Sequence, residues 1–97
     1  MKAVFVVYNQ SLAGQVQEIL SQLSIRGYTQ WTNIMGTGSV KGLPHEGTHT
    51  WPELNNAYLI VIDDAMVPDL LKRLQLLNEE LEDQGLRAFV WNIESAI

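Results

Sequence analysis

The sequence contains no cysteine, few basic residues and no long apolar run. Without cysteine the chain can form no disulfide, no thiolate metal site and no cysteine nucleophile. Its six Lys and Arg residues are scattered along the chain, and eleven Asp and Glu residues bring the net charge to −5. Nucleic-acid backbones are bound by clustered basic residues, so this pattern argues against a nucleic-acid partner.

The apolar runs of the sequence also predict neither a targeting segment nor a membrane-spanning segment. The first apolar run ends at Tyr8 and is followed by Asn9 and Gln10, which makes it too short for a signal peptide. No stretch approaches the roughly 20 apolar residues that a membrane span requires. We therefore expect a cytoplasmic protein without direct membrane insertion, folded as one domain over residues 1–97.

Six secondary-structure elements are predicted by the apolar periodicity. Asn9 or Ser11 can cap the first helix, Gly27 stands where a glycine would end it, and Asp63 or Asp64 can cap the second helix. The predicted elements are a strand over 4–8, a helix over 11–26, strands over 28–35 and 56–62, a helix ending before Gly85, and a strand over 86–93.

The order strand, helix, strand, strand, helix, strand predicts an α+β domain of ferredoxin-like βαββαβ architecture. Two right-handed crossovers place both helices on one face of a four-stranded antiparallel sheet. The other face of such a sheet is normally polar.

Here the alternation predicts two apolar faces. Val4 and Val6 alternate with Phe5 in the first strand, and Phe89 and Trp91 lie opposite the other apolar residues of the last strand. With no further elements to cover the second face, another subunit is its simplest cover. Another interpretation is a small enzyme or a dimeric domain with its active site on this second face of the sheet. The strands offer almost no polar groups for such a site.

The segment over 36–54 is rich in glycine, contains two prolines and has no periodicity. A hairpin connection normally has two to five residues, and much longer loops are usually functional or disordered. The sequence therefore places the functional region here, and we expect this loop to be mobile.

Two stretches of sequence resemble the PII nitrogen-regulatory proteins, and the element order extends this likeness over nearly the whole chain. The chain resembles the shorter, divergent PII-like proteins more than those that sense nitrogen. It has one residue more between Thr29 and Gly36 than its PII counterpart. The stretches that carry the resemblance are Gly27-Tyr28-Thr29, which opens the second strand, and Gly36-Thr37-Gly38-Ser39-Val40-Lys41-Gly42, which is similar to the base of the PII T-loop.

The resemblance implies a homotrimer whose sheets face inward. It further implies a signal-transduction protein, not an enzyme, that binds a small-molecule effector such as a nucleotide in clefts between subunits. The long loop would contact a protein target, for example a membrane transporter.

An anion site is predicted at the opening of the loop. Backbone N–H groups at Gly36 and Gly38 can approach a phosphate, Lys41 and Arg87 supply positive charge, and Gly42 completes the loop motif. The alternative is that the glycines are ordinary loop residues and that Arg87 is an ordinary surface residue.

A metal site is the alternative prediction. His45, Glu46 and His49 can together ligate Zn²⁺, Cu²⁺ or Ni²⁺, which would make the chain a trimeric metal-binding protein similar to the CutA family. Two histidines make an incomplete site, so a solvated polar loop is the favoured explanation for them. No Ser/His/Asp arrangement or carboxylate pair indicates catalysis.

Overall fold

The computed structural model describes residues 1–36, 53–80 and 85–97. The predicted order of elements is confirmed, and two of the four strands begin earlier than predicted. The elements are β1 (Lys2–Asn9), a 3-10 turn (Gln10–Leu12), α1 (Ala13–Gln22), β2 (Tyr28–Gly36), β3 (Glu53–Ile62), a second 3-10 turn (Asp64–Met66), α2 (Val67–Glu80) and β4 (Leu86–Asn92).

The four strands form one antiparallel sheet in the order β2-β3-β1-β4. Val4, Val6 and Tyr8 of β1 are buried in a single core with the apolar sides of α1 and α2. This arrangement confirms the predicted ferredoxin-like fold. No helix in the described ranges is long and apolar enough to cross a membrane.

The first helix ends earlier than predicted, at Gln22 instead of Arg26. Ser24 adopts a left-handed conformation with φ of 58°. Its N–H donates to the carbonyl of Ser21 at 3.0 Å, and the N–H of Ile25 donates to that of Leu20 at 2.9 Å. These two bonds form a Schellman motif, which closes the last turn and brings Ile25 into the core. The prediction that Gly27 ends this helix is therefore wrong.

The predicted helix caps are confirmed in part. The Asn9 side chain accepts a hydrogen bond from the N–H of Ser11 at 2.9 Å, as an N-cap does. Asp63 stands at the N-cap of the second 3-10 turn, but its side chain makes no capping bond. Asp64 forms an ion pair with the amino group of Met1 at 2.9 Å. Neither aspartate thus caps a helix through its side chain.

The ladder between β2 and β3 contains a β-bulge. Pairing is regular up to Trp31 and resumes at Ile34. Thr32 and Asn33 therefore lie opposite a single residue, Asn56, and Asn33 has a left-handed φ of 57°. The bulge thus inserts one more residue in β2 than in the facing part of β3.

Candidate functional site

Four strand ends meet at one end of the sheet, which we call the loop end. There Gly36 at the end of β2 pairs with Glu53 at the start of β3, and Tyr8 near the end of β1 pairs with Leu86 at the start of β4. The segments 37–52 and 81–84, which lie outside the described residues, both connect at this end. The sequence-predicted site residues therefore all belong to strand ends, or to segments that connect, at the loop end.

Gly36 is the one member of the predicted glycine motif within the described ranges. A Cβ atom at this position would overlap the side-chain amide of Asn55. A larger residue would therefore require the flexible Asn55 side chain to move, whereas glycine leaves the backbone of β2 accessible at the edge of the sheet.

Arg87 lies on the edge strand β4 with its side chain exposed. Its guanidinium carbon is 5.8 Å from the centroid of the Phe89 ring, two residues further along the same face. This cation–π contact directs the charge over the face of the sheet that the helices do not cover.

Gly36 and Arg87 lie on opposite edges of the sheet. Their strands are separated by β3 and β1, which corresponds to about 14 Å for three strand spacings. One subunit therefore does not bring these two predicted ligand residues together. Gly38, Lys41 and Gly42 lie outside the described residues, so their part in an anion site stays a prediction.

The predicted metal ligands His45, Glu46 and His49 also lie outside the described residues. Over 1–36, 53–80 and 85–97, no cluster of three or more His, Asp or Glu side chains could hold a metal ion. The metal site therefore stays a prediction about the segment 37–52 alone.

The helix-free face of the sheet is apolar, as predicted. We call it the open face and define it by Phe5, Trp31, Val61, Phe89 and Trp91. The exposed fractions of Trp31, Phe89 and Trp91 are 42%, 48% and 49%, and the rings of Phe5 and Trp31 meet edge to face at 6.3 Å. Large apolar side chains that are half exposed and contiguous mark a surface made for contact with another molecule.

A polar network at the loop end was not predicted from the sequence. The side-chain oxygen of Asn56 accepts hydrogen bonds from the N–H of Asn33 and from Nε2 of Gln10, both at 3.2 Å. Gln10 also donates to the side-chain oxygen of Asn33. Asn56 is only 6% exposed. A polar residue at an inward position of β3 was the available signal, but the sequence does not show which groups meet it.

A tyrosine pair adjoins this network on the helix-covered face. Tyr8 and Tyr58 are stacked with ring centroids 6.0 Å apart, and Gln30 donates to the Tyr58 hydroxyl at 3.2 Å. The buried Tyr8 hydroxyl has no hydrogen-bond partner in the part of the chain that the structure describes. Burial raises the pKa of both tyrosines, so both remain neutral at physiological pH.

Solved structures of other proteins share the fold of this chain. No protein-family model and no curated protein matches the chain. The structure of CPII, a nitrogen regulatory PII-like protein from Thiomonas intermedia K12, with ADP, AMP and bicarbonate bound, aligns with a TM-score of 0.68 and 16% identity. That alignment covers 99% of this chain and 94% of CPII. The apo form of CPII aligns with a TM-score of 0.66 and 13% identity, covering 95% and 89% of the two chains.

A PII-like signalling protein from Thermus thermophilus is also similar. Its TM-score is 0.65 at 25% identity, over 95% of this chain and 85% of that protein. The structural likeness thus spans nearly the whole chain, whereas the sequence motif spans residues 27–42. The resemblance predicted from the sequence is confirmed, and this chain has the fold of the PII-like proteins.

Proposed function

We propose that this chain is a homotrimeric PII-like regulatory protein that binds an adenine nucleotide between its subunits and contacts a protein target through the segment 36–54. The observation that carries the proposal is the placement of Gly36 and Arg87 on opposite edge strands of a sheet whose open face is apolar. The bound ADP and AMP of the structurally similar CPII support the choice of nucleotide.

The open face supports an assembly of several copies. Burying the half-exposed rings of Trp31, Phe89 and Trp91 contributes about 25 cal/mol for each Å² of apolar area removed from water. A ring of three subunits around a threefold axis covers all three faces at once and leaves none exposed.

A threefold ring also completes the effector site. In a head-to-tail contact, the β2 edge of one subunit lies against the β4 edge of the next. Gly36 of one copy and Arg87 of its neighbour then line the same cleft. There the guanidinium can pair with phosphate while backbone N–H groups near Gly36 approach it closely. Gly38, Lys41 and Gly42 belong to this proposed cleft by their place in the sequence.

Calorimetric titration with ADP and AMP tests the proposed site. We expect the wild type to bind at least one of them, and Arg87→Ala to weaken binding about tenfold or more because a charge-assisted contact to phosphate is lost. The control is Arg26→Ala, which removes an exposed arginine that follows α1 at the other end of the sheet. No binding by the wild type at millimolar nucleotide, or equal weakening in the control, would contradict the proposal.

Mixing of subunits tests whether the site is shared between copies. Gly36→Ala and Arg87→Ala each remove one side of the cleft, and both should bind poorly alone. When the two variants are unfolded and refolded together, about a quarter of the clefts in a cyclic assembly receive an intact Gly36 and an intact Arg87 from different copies. Recovery of that fraction of nucleotide sites is expected. No recovery would contradict a cleft that is shared between Gly36 of one copy and Arg87 of the next.

The proposed function consists of binding alone and includes no catalytic step. A bound nucleotide should therefore be recovered unchanged after prolonged incubation with the protein, as measured by chromatography of the released ligand. Turnover that scales with protein concentration and is lost in Arg87→Ala would make the site an active site instead.

A further inference from the structure

The β-bulge in β2 leaves a backbone donor that the ladder does not use. In a bulge, two residues face one, and the extra residue lacks a partner on the other strand. The N–H of Asn33 donates to the Asn56 side chain at 3.2 Å instead. Asn56 is almost fully buried, whereas Asn33 is exposed and the bond between them is partly buried. A partly shielded donor that loses its acceptor is costly.

Gln10 ties a third chain segment to the same atom. It lies in the 3-10 turn that leads from β1 to α1, and its Nε2 donates to the Asn56 side-chain oxygen at 3.2 Å and also to Asn33. One amide oxygen on β3 thus joins the bulge of β2 to the corner after β1. We call Gln10, Asn33 and Asn56 the Asn56 clamp.

The clamp lies immediately before the strand ends that flank the segment 37–52. Beyond the bulge the two-stranded ladder has three residue pairs, from Ile34 and Asn55 to Gly36 and Glu53. A bulge increases the local twist and bends the strand that carries it. The direction in which this short ladder leaves the sheet is therefore set at the bulge.

We propose that Asn56 is a positioning residue, which holds the end of the β2–β3 ladder, and with it Gly36, in the orientation that the effector site requires. The residue does not touch the effector in this scheme. The role in ligand binding rests on the function proposed above, whereas the mechanical role of the clamp does not.

Local amide exchange distinguishes positioning from a general contribution to stability. In Asn56→Ala the two donors lose their acceptor, so peptides covering 34–36 and 53–55 should exchange about tenfold faster or more, as expected for the loss of two partly buried hydrogen bonds. Peptides covering 28–31 and 58–61 should change little. The control is Ile62→Val, at the other end of the same strand, which weakens packing without touching the clamp.

The conservative variant Asn56→Asp provides the rescue. Its carboxylate keeps an oxygen that both donors can reach, so the ladder end should stay protected and nucleotide affinity should stay within a few-fold of the wild type. In Asn56→Ala we expect nucleotide affinity to fall about tenfold, in parallel with the faster exchange. The inference is overturned if Asn56→Ala accelerates exchange evenly along β3 as the Ile62→Val control does, or if Asn56→Asp is as unprotected as Asn56→Ala.

Gln10→Ala keeps the test decisive if Asn56→Ala does not fold. Gln10 is only partly buried, and its removal deletes one clamp donor while Asn33 keeps its bond to Asn56. Faster exchange limited to 34–36 and 53–55 supports the clamp, and unchanged exchange there contradicts it. A wild type that binds no nucleotide would overturn the proposed function but leave this exchange result standing, so the two failures can be told apart.

Discussion

The two faces of the sheet have similar apolar composition but different surroundings. On the covered face, Val4, Val6 and Ile60 are completely buried by α1 and α2. On the open face, Phe89 and Trp91 remain about half exposed although they alternate with more deeply buried residues along the same strand.

The difference shows that alternation predicts which residues are apolar on each face, but not what covers them. For the covered face, the covering helices come from the same chain and are themselves predicted by their periodicity. For the open face, the cover that we propose is a second copy of the chain. A chain of this length buries only about 60–65% of its extended surface on folding, so it gains more than a larger domain from apolar area buried between copies.

The largest loss of folding stability is expected from a substitution on the covered face. Val6→Asp places a carboxylate in the fully buried core between β1 and the helices, at a cost of about 4 kcal/mol or more. Because a small domain has a total stability of roughly 5–15 kcal/mol, we expect loss of the cooperative urea transition. A transition at the wild-type midpoint would show that the covered face is not the core.

A smaller effect, of a different kind, is expected on the open face. Phe89→Asp puts a charge on a half-exposed site, so the fold should survive while the assembly dissociates. We expect the subunit dissociation constant to rise about 100-fold or more, equivalent to roughly 3 kcal/mol, as measured by sedimentation equilibrium beside circular dichroism.

The control for the open face is Gln17→Asp, which adds the same charge on the exposed side of α1. Its assembly should match that of the wild type. A wild type that is monomeric at micromolar concentration, or a Phe89→Asp variant with unchanged assembly, would remove the open face from any subunit contact.

The sequence was sufficient for the elements that depend on local pattern. These elements are the alternating strands β1 and β4, the two amphipathic helices and the Asn9 cap. Each depends on residues that are close together in the sequence, and each is confirmed. The crossovers predicted one four-stranded antiparallel sheet with both helices on one face, and the observed sheet agrees.

The missed features share a physical reason. Ser24 and Asn33 both adopt a left-handed backbone that sequence rules assign first to glycine, and in each case contacts distant in sequence or in the core offset the cost. Asn56 collects donors from Gln10 and Asn33, which are far from it along the chain. The separation of Gly36 from Arg87 likewise depends on strand order, which places the two motifs on opposite edges.

The dependence of stability on alkaline pH compares two parts of the covered face. The loop end of this face contains polar groups, and the remainder is apolar. Burial raises the pKa of Tyr8 and Tyr58 above the ordinary value of 10.0. The folded state therefore keeps these protons where the unfolded chain has released them, and stability present below about pH 10 is lost as pH rises further. Each group contributes at most about 1.4 kcal/mol per pH unit.

Tyr8→Phe should reduce this alkaline slope and leave the stability at pH 7 unchanged or slightly higher, because the removed hydroxyl is buried without a partner among the described residues. Urea midpoints at about pH 8, 10 and 11, which bracket the ordinary tyrosine pKa, provide the measurement. A variant that loses stability as steeply as the wild type above about pH 10 would show that Tyr8 does not carry the effect.

The smallest effect is expected at the end of α1, which belongs to neither face. Ser24 has a φ of 58° in the Schellman motif, where a Cβ atom costs energy that glycine avoids. Ser24→Gly should therefore stabilise the fold by about 0.5–1 kcal/mol, partly offset by the greater freedom of glycine in the unfolded chain. The matched control is Ser21→Gly, which makes the same change inside the helix and should destabilise by about 0.5 kcal/mol. Both variants should assemble as the wild type does, because their sites are remote from the open face. Equal signs for the two stability changes, measured by urea unfolding, would show that the helix does not end in the left-handed turn at Ser24.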